Sequence, residues 1–376
     1  MTEREAAVGP ASIKASPRLP GLDVTRTVAL VGVVIMNYHG FLNRGDDGLD
    51  RSISERIFHP FTGPLSTRFA ATFVIVAGMG VTLMTNRSRL GGDSDAIRAD
   101  RWKLARRGLL LYAGGLLLEW IWPGTILFFY GALFMASALL FTLRTRWIVG
   151  VGAASAAAAA AIAWFRFEHV ATGHNVSWLD PQVTSPRNLL LRTFVGHTHP
   201  LFPWLAFMCV GIVIGRALPL SAHSRQRLVG VGLLMLAGSY LLSDAASRLA
   251  RHQQSASWQF LLRTNPYDRG LLYTIGTIGS SVVVFCVVSW LADRFASSPV
   301  TITLQHAGQM TLTLYVAHAL VFNAVVHWWG WVSPSGLGGA LIFSLAFWIG
   351  AITVGSLWHR TLGTGPLERV YRGFGG

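Results

Sequence analysis

The sequence predicts an all-α polytopic integral membrane protein, with about ten transmembrane helices in one bundle. Three observations predict it. Apolar residues make up 52% of the 376 residues, and they come in long blocks. Charged residues are only 13%, about half the share usual in a globular domain. At roughly 20 residues per helical span, ten spans would use about 200 residues, close to the apolar content. Such hydrophobicity excludes intrinsic disorder and argues against a water-soluble enzyme.

Each element follows from the run of residues. Residues 1–22 are polar, lack a signal-peptide hydrophobic region and read as a cytoplasmic tail. Span one, 26–43, carries polar groups at both ends, Asp23 and Arg26 at one and Asn37 at the other. A long segment, 44–66, leads to span two at 67–86. The densest basic cluster follows, from Arg87 and Arg89 through Arg98, Arg101 and Lys103 to Arg106 and Arg107. Span three covers 104–121 and span four 124–142. Span five, 147–165, contains the alanine run Ala156 to Ala161, an apolar helix former. A second long segment, 166–199, leads to span six at 200–218. Span seven, 228–246, is followed by a third long segment, 244–269, and by span eight at 270–291. Spans nine, 309–328, and ten, 338–357, complete a single transmembrane domain, 23–360. Residues 361–376 read as a second cytoplasmic tail. No fixed-period repeat, separate soluble domain or inverted pair of broken helices is evident.

The net charge is +14, from 31 Lys+Arg against 17 Asp+Glu. In a soluble chain this would suggest nucleic acid. Here it reads as the basic bias of cytoplasmic loops, and no nucleic-acid partner is expected. An even number of spans puts both termini on one side. Of the 31 basic residues, 20 fall on the terminal side and 11 on the other. Both termini are therefore expected in the cytoplasm of a cell-membrane protein, with 44–66, 166–199 and 244–269 outside.

Soluble-enzyme motifs such as a Walker loop, GxGxxG, GxSxG or HExxH are absent. Cys209 and Cys286 lie within apolar blocks, which speaks against a disulfide framework or a cysteine metal site. His169, His174, His197 and His199 share one outer segment. No carboxylate or cysteine stands at ligand spacing from His197 and His199, so no metal site is expected. His318 and His327 lie on span nine, where an interhelical hydrogen bond suits a buried imidazole. In span one the residues support two readings. Asp23 and Arg26 form an i,i+3 pair with Asn37 as interhelical glue, or both polar ends line a pathway.

Arg18-Leu19-Pro20-Gly21-Leu22-Asp23-Val24-Thr25-Arg26, followed by a helix carrying Asn37, resembles the opening of the YeiB-like and heparan-alpha-glucosaminide N-acetyltransferase superfamily. Further similarities follow in order: Phe69-Ala70-Ala71-Thr72-Phe73 with Ala77-Gly78-Met79-Gly80, Arg106-Arg107 with Gly114, and Ile126-Leu127-Phe128-Phe129-Tyr130-Gly131. They continue through Phe202-Pro203-Trp204 with Gly211 and Gly215-Arg216, then Gly308-Gln309-Met310-Thr311-Leu312-Thr313-Leu314-Tyr315, and end at Gly365-Pro366-Leu367-Glu368. Thr27 stands where the family has glycine, and Phe128 and Phe129 replace a more polar pair.

The resemblance implies an acyl-CoA-dependent membrane acyltransferase. An acyl group, commonly acetyl, passes from cytoplasmic acyl-CoA to an extracytoplasmic sugar or related acceptor. It also implies a catalytic histidine beyond the asparagine of the first span. His59 matches that position, with Asn37 as its partner and His39 as the rival. Arg18, Arg26, Arg106 and Arg107 are the residues expected to hold the donor's phosphates, a task that suits guanidinium groups. No metal is implied. Apolar outer faces would serve a homodimer and lipid alike. Two other classes stay open on the residues: a transporter of a lipid-linked or hydrophobic solute, and a non-catalytic membrane subunit.

Overall fold

Inside a bilayer every backbone N–H and C=O must be bonded within the protein, so an apolar block long enough to cross becomes a helix. The computed structural model describes residues 19–43, 52–179, 185–196, 198–250 and 261–375. Among these residues there are helices and no strand. Each of the ten expected spans coincides with a helix: α1 (Pro20–Leu42), α3 (Arg68–Gly91), α4 (Ser94–Leu118), α5 (Leu127–Leu140), α6 (Thr145–Ala171), α8 (Leu201–Gly215), α9 (Ala222–Ala250), α10 (Leu271–Arg294), α12 (Thr311–Phe322) and α13 (Gly336–Leu362). Helix α12 runs on as a π-helical turn, Asn323–Trp328. Four further helices are α2 (Ile53–Ile57), α7 (Pro186–Phe194), α11 (Pro299–Gly308) and α14 (Pro366–Gly375). The protein is an all-α, multi-pass membrane protein.

Among the described residues, seven helices are long and apolar enough to cross a membrane, with α12 and its π-helical turn taken as one. Helices α5 and α8 have 14 and 15 residues, about 21–23 Å at the usual rise, short of the roughly 30 Å hydrocarbon core. Both are inner helices. Trp204, Phe207 and Met208 of α8 are buried, and α8 packs against α3 and α6. A helix wrapped by other helices has no need to match the lipid thickness.

Two polar stretches fold further than their composition suggests. Between α3 and α4 the basic cluster is almost wholly helical, because Gly92 ends α3 in the left-handed region at φ 68°. The Asp93 side chain then caps α4 by accepting from Asp95 N. Ser88 Oγ donates to Asp100 Oδ2 at 2.6 Å and ties the two helices together. The stretch read as a C-terminal tail contains α14, which packs on α4.

Helix α1 packs against α3, α10, α11, α12 and α13. Two close approaches set the frame. A Cβ on Gly211 would lie 2.0 Å from the Ile75 carbonyl oxygen, so α3 and α8 meet backbone to backbone. A Cβ on Gly308 would lie 2.0 Å from the Asp23 carbonyl oxygen, which lets the end of α11 reach the start of α1. At the periphery α9 turns Leu234, Leu241 and Leu242 outward, the side chains of a lipid-facing surface. Trp328, Trp329 and Trp331 are also exposed, as in the aromatic belt of a membrane interface.

Candidate functional site

A cavity of about 680 Å³ runs beside α1, from Asp23 and Arg26 at one end to Leu30 and Val33 deeper in. That stretch of α1 spans about 15 Å at the usual helical rise. The mouth is polar and basic, with Arg107, Gln309 and Arg372. The interior is apolar, with Phe73, Leu111 and Leu127 among its walls.

The mouth is built from four helices. Arg26 Nη1 pairs with Asp23 Oδ1 at 3.0 Å, and Gln309 Nε2 donates to Asp23 Oδ2 at 3.4 Å. Gly80 leaves room for this guanidinium, since a Cβ there would come within 2.7 Å of Arg26 Nη2. The guanidinium of Arg107 lies 4.9 Å over the Tyr371 ring of α14, and its Nη1 donates to Met84 Sδ at 2.9 Å. Burial pushes the Tyr371 hydroxyl up to about 12, against the opposing pull of Arg107 and Arg26, so at neutral pH it is an uncharged donor. Helix α14 is held by Glu368, whose Oε1 accepts from Leu312 N at 2.7 Å and Thr313 N at 3.1 Å. That carboxylate is spent on the N-terminus of α12. Three arginines, Arg26, Arg107 and Arg372, line the cavity.

Arg106 is placed elsewhere. It is exposed and outside the cavity lining, in a separate shallow cleft with Trp102, Lys103 and Gly375. Arg18 lies outside the described residues, as does His197. Thr27, where the family has glycine, donates through Oγ1 to the Leu304 carbonyl at 2.6 Å and joins α1 to α11. Phe128 and Phe129 are buried with ring centroids 3.8 Å apart.

The cavity ends at Tyr315 and Ile126. The Tyr315 hydroxyl bonds Thr125 Oγ1 at 3.0 Å and accepts from Ile126 N at 3.1 Å. Beyond this partition lies the other polar end of α1. There Asn37 Nδ2 is 3.1 Å from His318 Nε2. His39 is buried and its Nδ1 donates to the Phe58 carbonyl at 2.8 Å. The turn after Phe58 carries His59, which is 9% exposed. Its Nδ1 accepts from Thr62 N at 3.0 Å and Phe61 N at 3.3 Å, with Thr62 Oγ1 at 2.8 Å. Backbone N–H groups only donate, so Nδ1 is an acceptor and the ring hydrogen resides on Nε2. Gly63 is required by this turn, because a Cβ there would lie 2.7 Å from the His59 carbonyl oxygen.

The model of the catalytic domain of heparan-alpha-glucosaminide N-acetyltransferase matches residues 18–242, well over half the chain. The chain belongs to that family. A second family, described as a protein of unknown function (DUF418), matches residues 216–374. No curated protein matches significantly. The acetyltransferase match covers Asn37, His59, Arg26 and Arg107, whereas His318, Glu368 and Tyr371 lie within the second match. Both polar ends of α1 thus join residues from the two matched segments of this acetyltransferase-family protein.

Of the residues at these two ends, Gln309, Tyr371 and Arg372 were not foreseen from sequence. They stand far from α1 in the chain, and only α11, α12 and α14 folding back on α1 and α4 brings them to the mouth. His318 was read as a partner in an interhelical hydrogen bond, which the structure bears out and directs to Asn37. Among the described residues no group of three metal-ligating side chains comes together.

Proposed function

We propose that this protein transfers an acyl group, commonly acetyl, from cytoplasmic acyl-CoA to a sugar or related acceptor on the far side of the cell membrane. The carrying observation is the cavity along α1, basic at its mouth, apolar within, and ending one partition short of Asn37. Arg26, Arg107 and Arg372 suit the phosphates of a coenzyme A nucleotide. The apolar interior suits the pantetheine arm and a short acyl chain. A volume of about 680 Å³ lies within the range of small-molecule sites.

At the far end the acyl carbonyl would meet Asn37 and His59. The Asn37 amide supplies a donor for a developing oxyanion. His59 acts through Nε2, either as the base for an acceptor hydroxyl or amine or as a transient acyl carrier. Both roles need an unprotonated Nε2. The ring hydrogen must then pass to Nδ1, and the ring must turn off the Phe61 and Thr62 N–H groups, which only donate, so that Nδ1–H meets Thr62 Oγ1. The test is release of coenzyme A from acetyl-CoA by the purified protein, with glucosamine as probe acceptor, together with direct acetyl-CoA binding. Binding and release that both fall in Arg107→Ala support the reading. A protein that moves an intact solute across vesicles, without binding acetyl-CoA, is a transporter instead.

A further inference from the structure

Behind Asn37 the hydrogens of one contact can be assigned. His318 on α12 has no exposed surface. Its Nδ1 faces the Tyr315 carbonyl oxygen. A carbonyl only accepts, so Nδ1 carries the ring hydrogen. Nε2 is then an acceptor, and the atom 3.1 Å from it is the Asn37 amide nitrogen, which only donates. One neutral tautomer satisfies both contacts. Turning the Asn37 amide over would set Oδ1 against Nε2, acceptor against acceptor. The neighbouring residue reinforces the register, since the Tyr38 hydroxyl donates to the His318 carbonyl at 3.0 Å. Rings of Trp122 and Tyr315 stand against the imidazole at centroid distances of 5.0 and 4.9 Å. Enclosed in this way, His318 is out of reach of a substrate and acts through Asn37.

We propose that His318 is the positioning residue of Asn37: as the Nδ1–H tautomer it takes one amide hydrogen, leaving the second N–H and Oδ1 as the groups Asn37 offers to a thioester. This rests on the reading that Asn37 acts in acyl transfer. It also gives the two matched segments of the chain a shared task, one holding the group that works and the other setting its orientation.

The test compares purified wild type, His318→Gln, His318→Phe, Asn37→Ala and the double variant Asn37→Ala/His318→Phe, with acetyl-CoA as donor and glucosamine as probe acceptor. Acetyl-CoA affinity is read separately from kcat. Glutamine sets an amide oxygen close to the position of Nε2, so His318→Gln keeps kcat within about threefold. Phenylalanine fills the space without an acceptor, and His318→Phe loses about 30-fold in kcat with acetyl-CoA affinity unchanged. The double variant is no slower than Asn37→Ala, because the pair acts as one unit. A fast His318→Phe beside a slow Asn37→Ala overturns the positioning role and leaves the transferase reading intact. An undiminished Asn37→Ala removes the reading on which the role rests. The ring nitrogens decide independently of turnover. In ¹⁵N-histidine spectra of the wild type, with the His318 signal assigned by its loss in His318→Gln, a protonated Nδ1 and a bare Nε2 support the proposal. A protonated Nε2 overturns it.

Discussion

His59 differs from an ordinary interfacial histidine in what its Nδ1 touches. Two backbone N–H groups and the Thr62 hydroxyl converge on that atom, which orients the ring. His39 instead spends its Nδ1 on the Phe58 carbonyl, and so holds the same turn from the α1 side. We therefore expect His59→Ala to lower transfer by about 10²–10⁴-fold, the usual range for a lost acid–base group, with acetyl-CoA binding retained. Full activity in His59→Ala together with its loss in His39→Ala would move the role to His39. The two adjacent arginines separate in the same manner. Arg107 lines the cavity and Arg106 lies in a separate exposed cleft. Arg107→Ala is expected to weaken acetyl-CoA binding by about 10- to 100-fold, from roughly 1.5–3 kcal/mol per charged hydrogen bond, measured by titration calorimetry. Arg106→Ala should leave that affinity within about twofold, as surface substitutions generally do.

At the scale of elements, α14 is fastened by one carboxylate. Glu368 satisfies the first N–H groups of α12 and also receives Thr313 Oγ1 at 2.5 Å. Its removal leaves buried donors unpaired, a loss of about 1–3 kcal/mol. The same change frees Tyr371 and Arg372 from the cavity mouth. Glu368→Ala should thus lower both thermal stability and acetyl-CoA affinity, whereas Glu368→Gln, which keeps an acceptor oxygen, should recover part of each. The α3–α8 contact makes a second test. Gly211 has the Ile75 carbonyl where a side chain would go, so Gly211→Val must push two inner helices apart. Overpacking of this kind costs about 1–3 kcal/mol or more. The expected outcome is poor expression or a clear fall in melting temperature. A variant as stable as the wild type would show that the helices slide apart freely.

For the whole molecule the testable quantity is orientation. The split of basic residues predicts that both termini lie in the cytoplasm and 44–66 outside. Both native cysteines are buried, so a cysteine introduced as Asp47→Cys can be followed over a low background. An impermeant thiol reagent should label it in intact cells. Labelling only after permeabilisation would invert the topology and, with it, the side on which the donor binds.

The fold was legible because lipid leaves few choices. An apolar block of about 20 residues has to be a helix, and ten such blocks each became one. The first span also announced both of its polar ends, since ionisable and amide groups at the edges of an apolar helix stand out. Hydrophobicity does not record which helices are neighbours. Lipid solvates every apolar face alike, so α9 and α8 read much the same in sequence, yet one faces outward and the other is enclosed. Arg106 and Arg107 are equivalent by composition, and the helical turn of about 100° between them decides which meets Tyr371. The opposition of Asn37 and His318 came only from the return of α12 against α1, across more than 280 residues of chain. The sequence by itself determined the helices, the family and the polar ends of α1. Which side chains meet at those ends was decided by tertiary packing, because steric fit and hydrogen-bond pairing between distant helices have no local signature.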